Sequence, residues 1–230
     1  MQQNWAVRFI RRLKFQGWTV PAALFAVLAI CFVPFIHQQG FYWDDWAKTL
    51  VHRLYGPSGY WSYYAGDRPL SAWTHILLLT VLGETPLNWQ IFTLVMRWLS
   101  SVAMWWSFGL IWPDHKRPLA LTALLFAVYP VFDQQPIAVT YHQQWMQFAL
   151  YFLSLGLMTA ALKNQRSPTR AAALTGASII VMLVQVSVTE YFVPLELLRP
   201  VLIWFILADG KSAHHWRSTM LRYLPYFGVL

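Results

Sequence analysis

Asp44 and Asp45 stand side by side in Phe41-Tyr42-Trp43-Asp44-Asp45-Trp46, directly after the first long apolar run of a chain with only 9 acids in 230 residues. Adjacent carboxylates suit two kinds of chemistry. One can take a proton from a hydroxyl as a general base, and the pair can hold a hard divalent cation. Arg68 and Arg97 would complement them, because a guanidinium grips phosphate through its planar fork of donors. His142 (in Tyr141-His142-Gln143-Gln144), Glu190 and Asp133 are the other polar candidates. Plainer structural readings stand beside these. Two acids in the first turn of a helix match its dipole. Arg97 could snorkel or pair with an acid, and a lone His beside glutamines packs as readily as it ligates. Glu196 and Arg199, three residues apart, suit mutual neutralisation.

These residues sit in a chain built for lipid. Hydrophobic residues make up 57% and charged residues 11% of it, whereas a soluble domain carries about 25% charged residues. Fourteen Trp and 11 Tyr fit aromatic belts at the two lipid–water boundaries. The net charge of +8 falls in short clusters between apolar runs, a pattern of membrane topology rather than nucleic-acid binding. Cys31 is the single cysteine, so no disulfide can form within the chain. Inside its apolar run it reads as a small hydrophobe. Arg8, Arg11, Arg12 and Lys14 precede the first apolar run without a clear small-residue cleavage site after it, which predicts an uncleaved anchor.

Membrane-length apolar runs are expected at roughly 18–36, 89–112, 118–131, 145–162, 171–189 and 191–208, with a last one starting near Leu224. The run Pro69–Gly83 is shorter. If it crossed the membrane, the basic loops around His115-Lys116-Arg117 and Lys163/Arg166/Arg170 would lie opposite the basic N-terminus. If it lies in the interface, the N-terminus and the basic loops share the cytoplasmic side, as the positive-inside rule requires. The second threading is adopted. The expected fold is an all-α polytopic transmembrane helix bundle, one domain over 1–230. Its large extracytoplasmic first loop, 37–88, contains juxtamembrane helices. Within that loop 43–55 is expected to be an amphipathic helix with Trp46, Leu50, Val51 and Leu54 on one face.

In this threading Asp44, Asp45, Arg68, Arg97, His142 and Glu190 all gather toward the extracytoplasmic side. Trp43-Asp44-Asp45-Trp46, then Arg68-Pro69-Leu70-Ser71-Ala72-Trp73, Leu82-Gly83, Met96-Arg97 and the basic Asp114-His115-Lys116-Arg117 follow one another in order. That series resembles the GT-C superfamily of polytopic glycosyltransferases, closest to its protein O-mannosyltransferase and aminoarabinose-transferase branch, over about residues 40–190. The resemblance implies a sugar transfer from a polyprenyl-phosphate donor to an extracytoplasmic glycan, lipid or protein, with inversion at the anomeric carbon. It implies Asp44 as catalytic acid/base, Asp45 as an acid orienting a metal or the acceptor, and Arg97 as a phosphate contact. Arg68, His142 and Glu190 complete the candidate substrate contacts. The need for a divalent metal is open. Many members have an Asp where this chain reads Tyr141-His142-Gln143-Gln144; Asp133 lies earlier. Members also tend to be longer, so the chain reads as the N-terminal part of such a bundle.

The expected setting is a bacterial plasma membrane with a cytoplasmic N-terminus, and the expected partners are the bilayer and the lipid-linked sugar, not nucleic acid. Two other functions stay open. A transporter or lipid flippase would want polar groups spread through the bilayer midplane and discontinuous helices. A non-catalytic membrane subunit would use Asp44 and Asp45 only to start a helix.

Overall fold

Helices that are apolar all round have no polar face to offer water, and they are stable only when surrounded by protein or lipid. The computed structural model describes residues 17–129, 134–208 and 216–230, and every regular element there is helical. Arg8, Arg11, Arg12, Lys14 and Asp133 lie outside the described residues. In chain order the helices are α1 (Thr19–Ile36), α2 (Asp44–Tyr55), α3 (Gly59–Tyr64), α4 (Ala72–Leu82, preceded by a 3₁₀ turn at Pro69–Ser71) and α5 (Pro86–Ile111). Then come α6 (Lys116–Ala127), α7 (Ala138–Lys163), α8 (Pro168–Val186), a 3₁₀ segment Glu190–Leu197 running into α9 (Leu198–Ala208), and α10 (Trp216–Phe227). Five of these are long and apolar enough to cross a membrane: α1, α5, α7, α8 and the continuous stretch Glu190–Ala208. The chain is therefore an integral membrane protein.

α7 is the central helix. Of its most apolar window 56% is buried, against 28% or less in the other four candidate spans. It packs between α5 and α8. Close approach to α5 depends on Gly156, where an added Cβ would lie 2.0 Å from the Trp106 ring. Cys31 is exposed on the outside of α1 rather than packed inside.

Two expected spans turn out differently. The run at 118–131 forms only the 12-residue α6, roughly 18 Å long at 1.5 Å per residue and too short to cross as a helix by itself. Yet α5 and α7 begin at the same end of the bundle, where Gln90 and Thr93 donate to the Pro136 and Ala138 carbonyls, so the connection between them returns across it. The last carbonyl of α6, on Ala127, accepts a 2.7 Å hydrogen bond from Nε of Arg97. Arg97 comes from near the middle of α5, so α6 ends at depth in the bundle. A helix end there needs a donor for its free carbonyls, and a guanidinium suits the negative end of the dipole. The run expected from Leu224 belongs to α10, which already begins at Trp216 and contains Pro225.

The placement of Pro69–Leu82 is resolved by its contacts. Its start reaches α7 through Gln143 Nε2, which donates to the Ser71 carbonyl at 3.1 Å. Its middle reaches the same helix through His75 Nε2, which donates to the Val139 carbonyl at 3.0 Å. Its later residues Leu78 and Leu79 share one apolar cluster with Trp89, Ala138 and Val139. The segment thus touches the opening turns of α7 and α5, the Val188 and Ser187 carbonyls just after α8, and α3. It packs at the end of the bundle where α7 and α5 begin, and it is shorter than the five candidate spans.

α2 is the amphipathic helix the sequence pattern predicts, but its polar side faces the protein. Asp45, Lys48 and Thr49 are buried, while Trp46, Leu50 and Leu54 are exposed. Water would disfavour that arrangement; an apolar lipid surround favours it. Gly56 (φ 67°) and Gly83 (φ 64°) follow α2 and α4, each ending its helix at a positive φ that only glycine adopts without strain.

Candidate functional site

The site is assembled on the first turn of α7. Oδ1 of Asp45 accepts two hydrogen bonds from Thr140, one from its backbone N–H at 2.8 Å and one from its hydroxyl at 2.9 Å. Thr140 is the third residue of α7, so its N–H is one of the four that an α-helix leaves without an internal partner. Asp45 therefore caps α7 from a different helix and pins α2 to it across 95 residues of chain. Lys48 Nζ donates to the same Thr140 hydroxyl at 3.1 Å. The Tyr60 hydroxyl donates to the Lys48 carbonyl at 2.8 Å. Burial pushes the Asp45 carboxyl upward in pKa, opposed by the Thr140 hydrogen bonds and by Lys48. Burial pulls Lys48 down, opposed by the charges of Asp44 and Asp45.

A test of this cap compares Asp45→Asn with Asp45→Ala. Asn keeps an acceptor for the Thr140 N–H, whereas Ala leaves that donor buried and unpaired, at a cost of about 1–3 kcal/mol. The expected order of thermal stability in detergent is wild type and Asn close together, Ala clearly lower. The pH dependence has a definite sign. The folded carboxyl has the higher pKa, so it binds protons more tightly than the unfolded one. Wild type gains stability relative to Asp45→Asn as pH falls from the raised folded pKa toward the ordinary carboxylate value. A constant gap across that window would contradict the assignment.

Asp44 is placed differently. It is exposed and stands one helical turn before Lys48. Among the described residues it makes no hydrogen bond or ion pair, but its charge acts on Lys48 and on the Tyr63 hydroxyl. The residue before it, Trp43, has φ 49°, a strained value for a bulky side chain that persists only where its surroundings enforce it. The helix start that aims Asp44 is thus held against strain.

Arg68 enters from the 3₁₀ turn before α4. Its Nε lies 3.4 Å from Asp67 and 3.5 Å from Glu190, its Nη2 donates to the Tyr191 hydroxyl, and its guanidinium carbon lies 4.5 Å from the Tyr191 ring centre. Between Arg68, Lys48 and the wall of α7 opens a cleft of about 210 Å³, with Tyr64 and Tyr191 on its sides and Thr140 and Gln144 on its α7 wall.

Asp44, Asp45, Arg68 and Glu190 are thereby brought to one place. Arg97 and His142 are not. Arg97 is buried among the rings of Phe32 and Trp145, whose centres lie 4.5 and 4.6 Å from its guanidinium carbon, while it caps α6. His142 is buried beside His75, their ring centres 4.9 Å apart. Its Nδ1 lies 2.8 Å from the Val139 carbonyl. A carbonyl only accepts, so Nδ1 carries the proton.

Asp44 and Asp45 do not share a cation site. One is exposed and the other is committed to α7, while a hard cation wants several converging oxygens. No group of three or more His, Cys, Asp or Glu among the described residues could hold a metal.

Sequence reasoning missed Lys48, Thr140, Tyr191 and the α7 glutamines. Lys48 had a signal: it follows Asp44 and Asp45 at helical spacings of four and three. Comparison with protein-family models, with curated proteins and with solved structures returned no match.

Proposed function

We propose that the chain is a membrane glycosyltransferase of the GT-C type, moving a sugar from a polyprenyl-phosphate donor to an extracytoplasmic acceptor. The end of the bundle bearing the cleft is extracytoplasmic, the N-terminus is cytoplasmic, and the membrane is a bacterial plasma membrane. One observation carries the reading. Asp44, an exposed carboxylate with no hydrogen-bond partner among the described residues, stands one turn from a buried lysine that lines a cleft together with Arg68. α2 brings Lys48 to that cleft from its buried face and exposes Trp46, Leu50 and Leu54 on the other, so a polyprenyl chain can stay in lipid against the helix while its head group enters the cleft.

The chemistry follows from those groups. Asp44 takes the proton from the acceptor hydroxyl as its oxygen attacks the anomeric carbon. The bond from that carbon to the phosphate oxygen breaks, and the phosphate leaves with the electron pair. Lys48 and Arg68 stabilise the charge that develops on it. Attack opposite the leaving group inverts the anomeric centre.

The test is transfer of radiolabelled sugar from a panel of polyprenyl-phosphate donors by the chain in membranes. Label should move with at least one donor, and Lys48→Gln should raise KM for that donor about ten- to a hundredfold through loss of a charge-assisted contact. Lys48 must be protonated to bind phosphate, and its pKa is depressed. In wild type kcat/KM should therefore fall as pH rises through that lowered value, below the range of an ordinary lysine. Lys48→Arg should move that fall to higher pH, since guanidinium stays charged. A folded chain that transfers nothing from the panel overturns the proposal.

A further inference from the structure

We infer that the cleft selects a single uncharged monosaccharide as the donor's head group, read by a stripe of carboxamides on α7. The inference rests on the proposed glycosyltransferase reading and narrows its substrate. Thr140, Gln143, Gln144 and Gln147 all line the cleft. Their spacing of three, four and seven residues puts them on one face of α7. Thr140 lies at the phosphate end, bonded to Lys48. Two of the glutamines are fixed in place. Gln143 Nε2 donates to the Thr74 hydroxyl at 2.6 Å and to the Ser71 carbonyl at 3.1 Å. Gln147 Nε2 donates to the Thr189 carbonyl at 2.6 Å. Their donors are spent on the scaffold, and each amide keeps a carbonyl oxygen as acceptor. Gln144 is half-buried and makes no hydrogen bond among the described residues, so both its donor and its acceptor remain for a ligand.

This wall matches hydroxyls, which both donate and accept. It does not match a charge. Every charged group near the cleft has a prior commitment. Lys48 and Arg68 are the phosphate contacts, Asp67 and Glu190 lie on Arg68, and Asp44, which does not line the cleft, is the base for the acceptor hydroxyl. Among the described residues the only carboxylate at the α7 stripe is Asp45, already held by Thr140. None therefore lines the cleft to receive a sugar ammonium, and no cation beyond Lys48 and Arg68 lines it to receive a uronate. A charged sugar would lose its hydration there without gaining a partner. The volume limits the head group too. At about 210 Å³ the cleft is smaller than the roughly 300–1,000 Å³ that hold drug-sized ligands, which suits one ring and not an oligosaccharide. Tyr64 and Tyr191 on the sides offer apolar faces for the C–H edges of such a ring.

The test is equilibrium binding of four lipids to the chain in nanodiscs: bare polyprenyl phosphate and its neutral-hexose, amino-sugar and uronate esters. The neutral-hexose lipid should bind at least tenfold tighter than either charged one. Gln144→Leu should cut its affinity about tenfold while changing that for bare polyprenyl phosphate less than twofold. Gln144→Glu, which supplies the missing carboxylate, should move the preference to the amino-sugar lipid. Thermal unfolding of both variants should match wild type, because Gln144 supports no other group. Wild type binding a charged sugar lipid as well as the neutral one, or Gln144→Leu leaving the neutral-hexose affinity unchanged, overturns the inference. Bare polyprenyl phosphate that still binds in those cases keeps the glycosyltransferase reading alive. If none of the four lipids binds a folded chain, reading and inference fall together.

Discussion

Asp44→Asn should abolish the proposed sugar transfer while leaving the fold intact. A positioned general base contributes about 10²–10⁴-fold to rate, and Asn has the shape of Asp without its ability to take a proton. The loss should therefore appear in kcat with little change in donor KM. The structural side of the prediction is equally definite. Asp44 is exposed and supports no hydrogen bond or ion pair among the described residues, and surface substitutions of that kind stay within about 0.5 kcal/mol. Thermal unfolding of Asp44→Asn should overlay wild type. Asp45→Ala should show the reverse pattern, a loss of stability with activity falling only as α2 loosens from α7. The two neighbouring acids are thus distinguishable by which measurement each one moves. An Asp44→Asn protein with ordinary turnover would remove Asp44 from the mechanism and return it to the role of a helix-start residue.

The sequence carried the parts of this picture that depend on local pattern. Apolar runs of membrane length gave α1, α5, α8 and Glu190–Ala208 within three residues, because lipid forces each span to satisfy its own backbone. α7 was expected from 145 but begins at Ala138, its polar first turns reading as loop. The short apolar run Pro69–Gly83 stood apart from the spans, and it forms a helix shorter than any of them, bonded to Val139 and Gln143 at the start of α7. What depends on distant contacts was not legible. Asp44 and Asp45 are equivalent as letters; their separation into an exposed acid and a trans cap is decided by Thr140, 95 residues from Asp45. Arg97 at membrane depth looked like a functional group by the usual cost argument. Its companion is a backbone carbonyl, Ala127, freed because α6 stops early, and no side-chain pattern announces a carbonyl. The polar face of α2 was readable, but not that it would turn toward protein and leave Trp46 and Leu54 outside.

Arg199→Met should be among the most destabilising single substitutions in the chain. Arg199 Nε lies 2.6 Å from Glu196 Oε2, and both side chains are almost wholly buried. The guanidinium also donates to the Ser154 hydroxyl at 3.1 Å and lies 4.6 Å from the centre of the Tyr226 ring, tying the 3₁₀ segment and α9 to α7 and α10. Removing the arginine leaves the Glu196 charge buried without its counter-ion, which costs about 3–5 kcal/mol. For a chain of this length that is a fall of roughly 6–20 °C in Tm. Replacing both members, Glu196→Gln with Arg199→Met, should recover most of the loss, because a neutral pair carries no uncompensated charge. The same change bears on the cleft. Glu196 is near the end of the 3₁₀ segment whose first residues, Glu190 and Tyr191, meet Arg68. An eight-residue 3₁₀ run is longer than this weakly bonded helix usually sustains, so it depends on its anchors: Glu196–Arg199 near one end, and Gln147 on the Thr189 carbonyl at the other. With the first anchor gone, the segment should loosen toward Tyr191, and donor KM should rise in the single variant and recover in the double one. A double variant as unstable as Arg199→Met alone would show that the arginine acts through Ser154 and Tyr226, not through its charge partner.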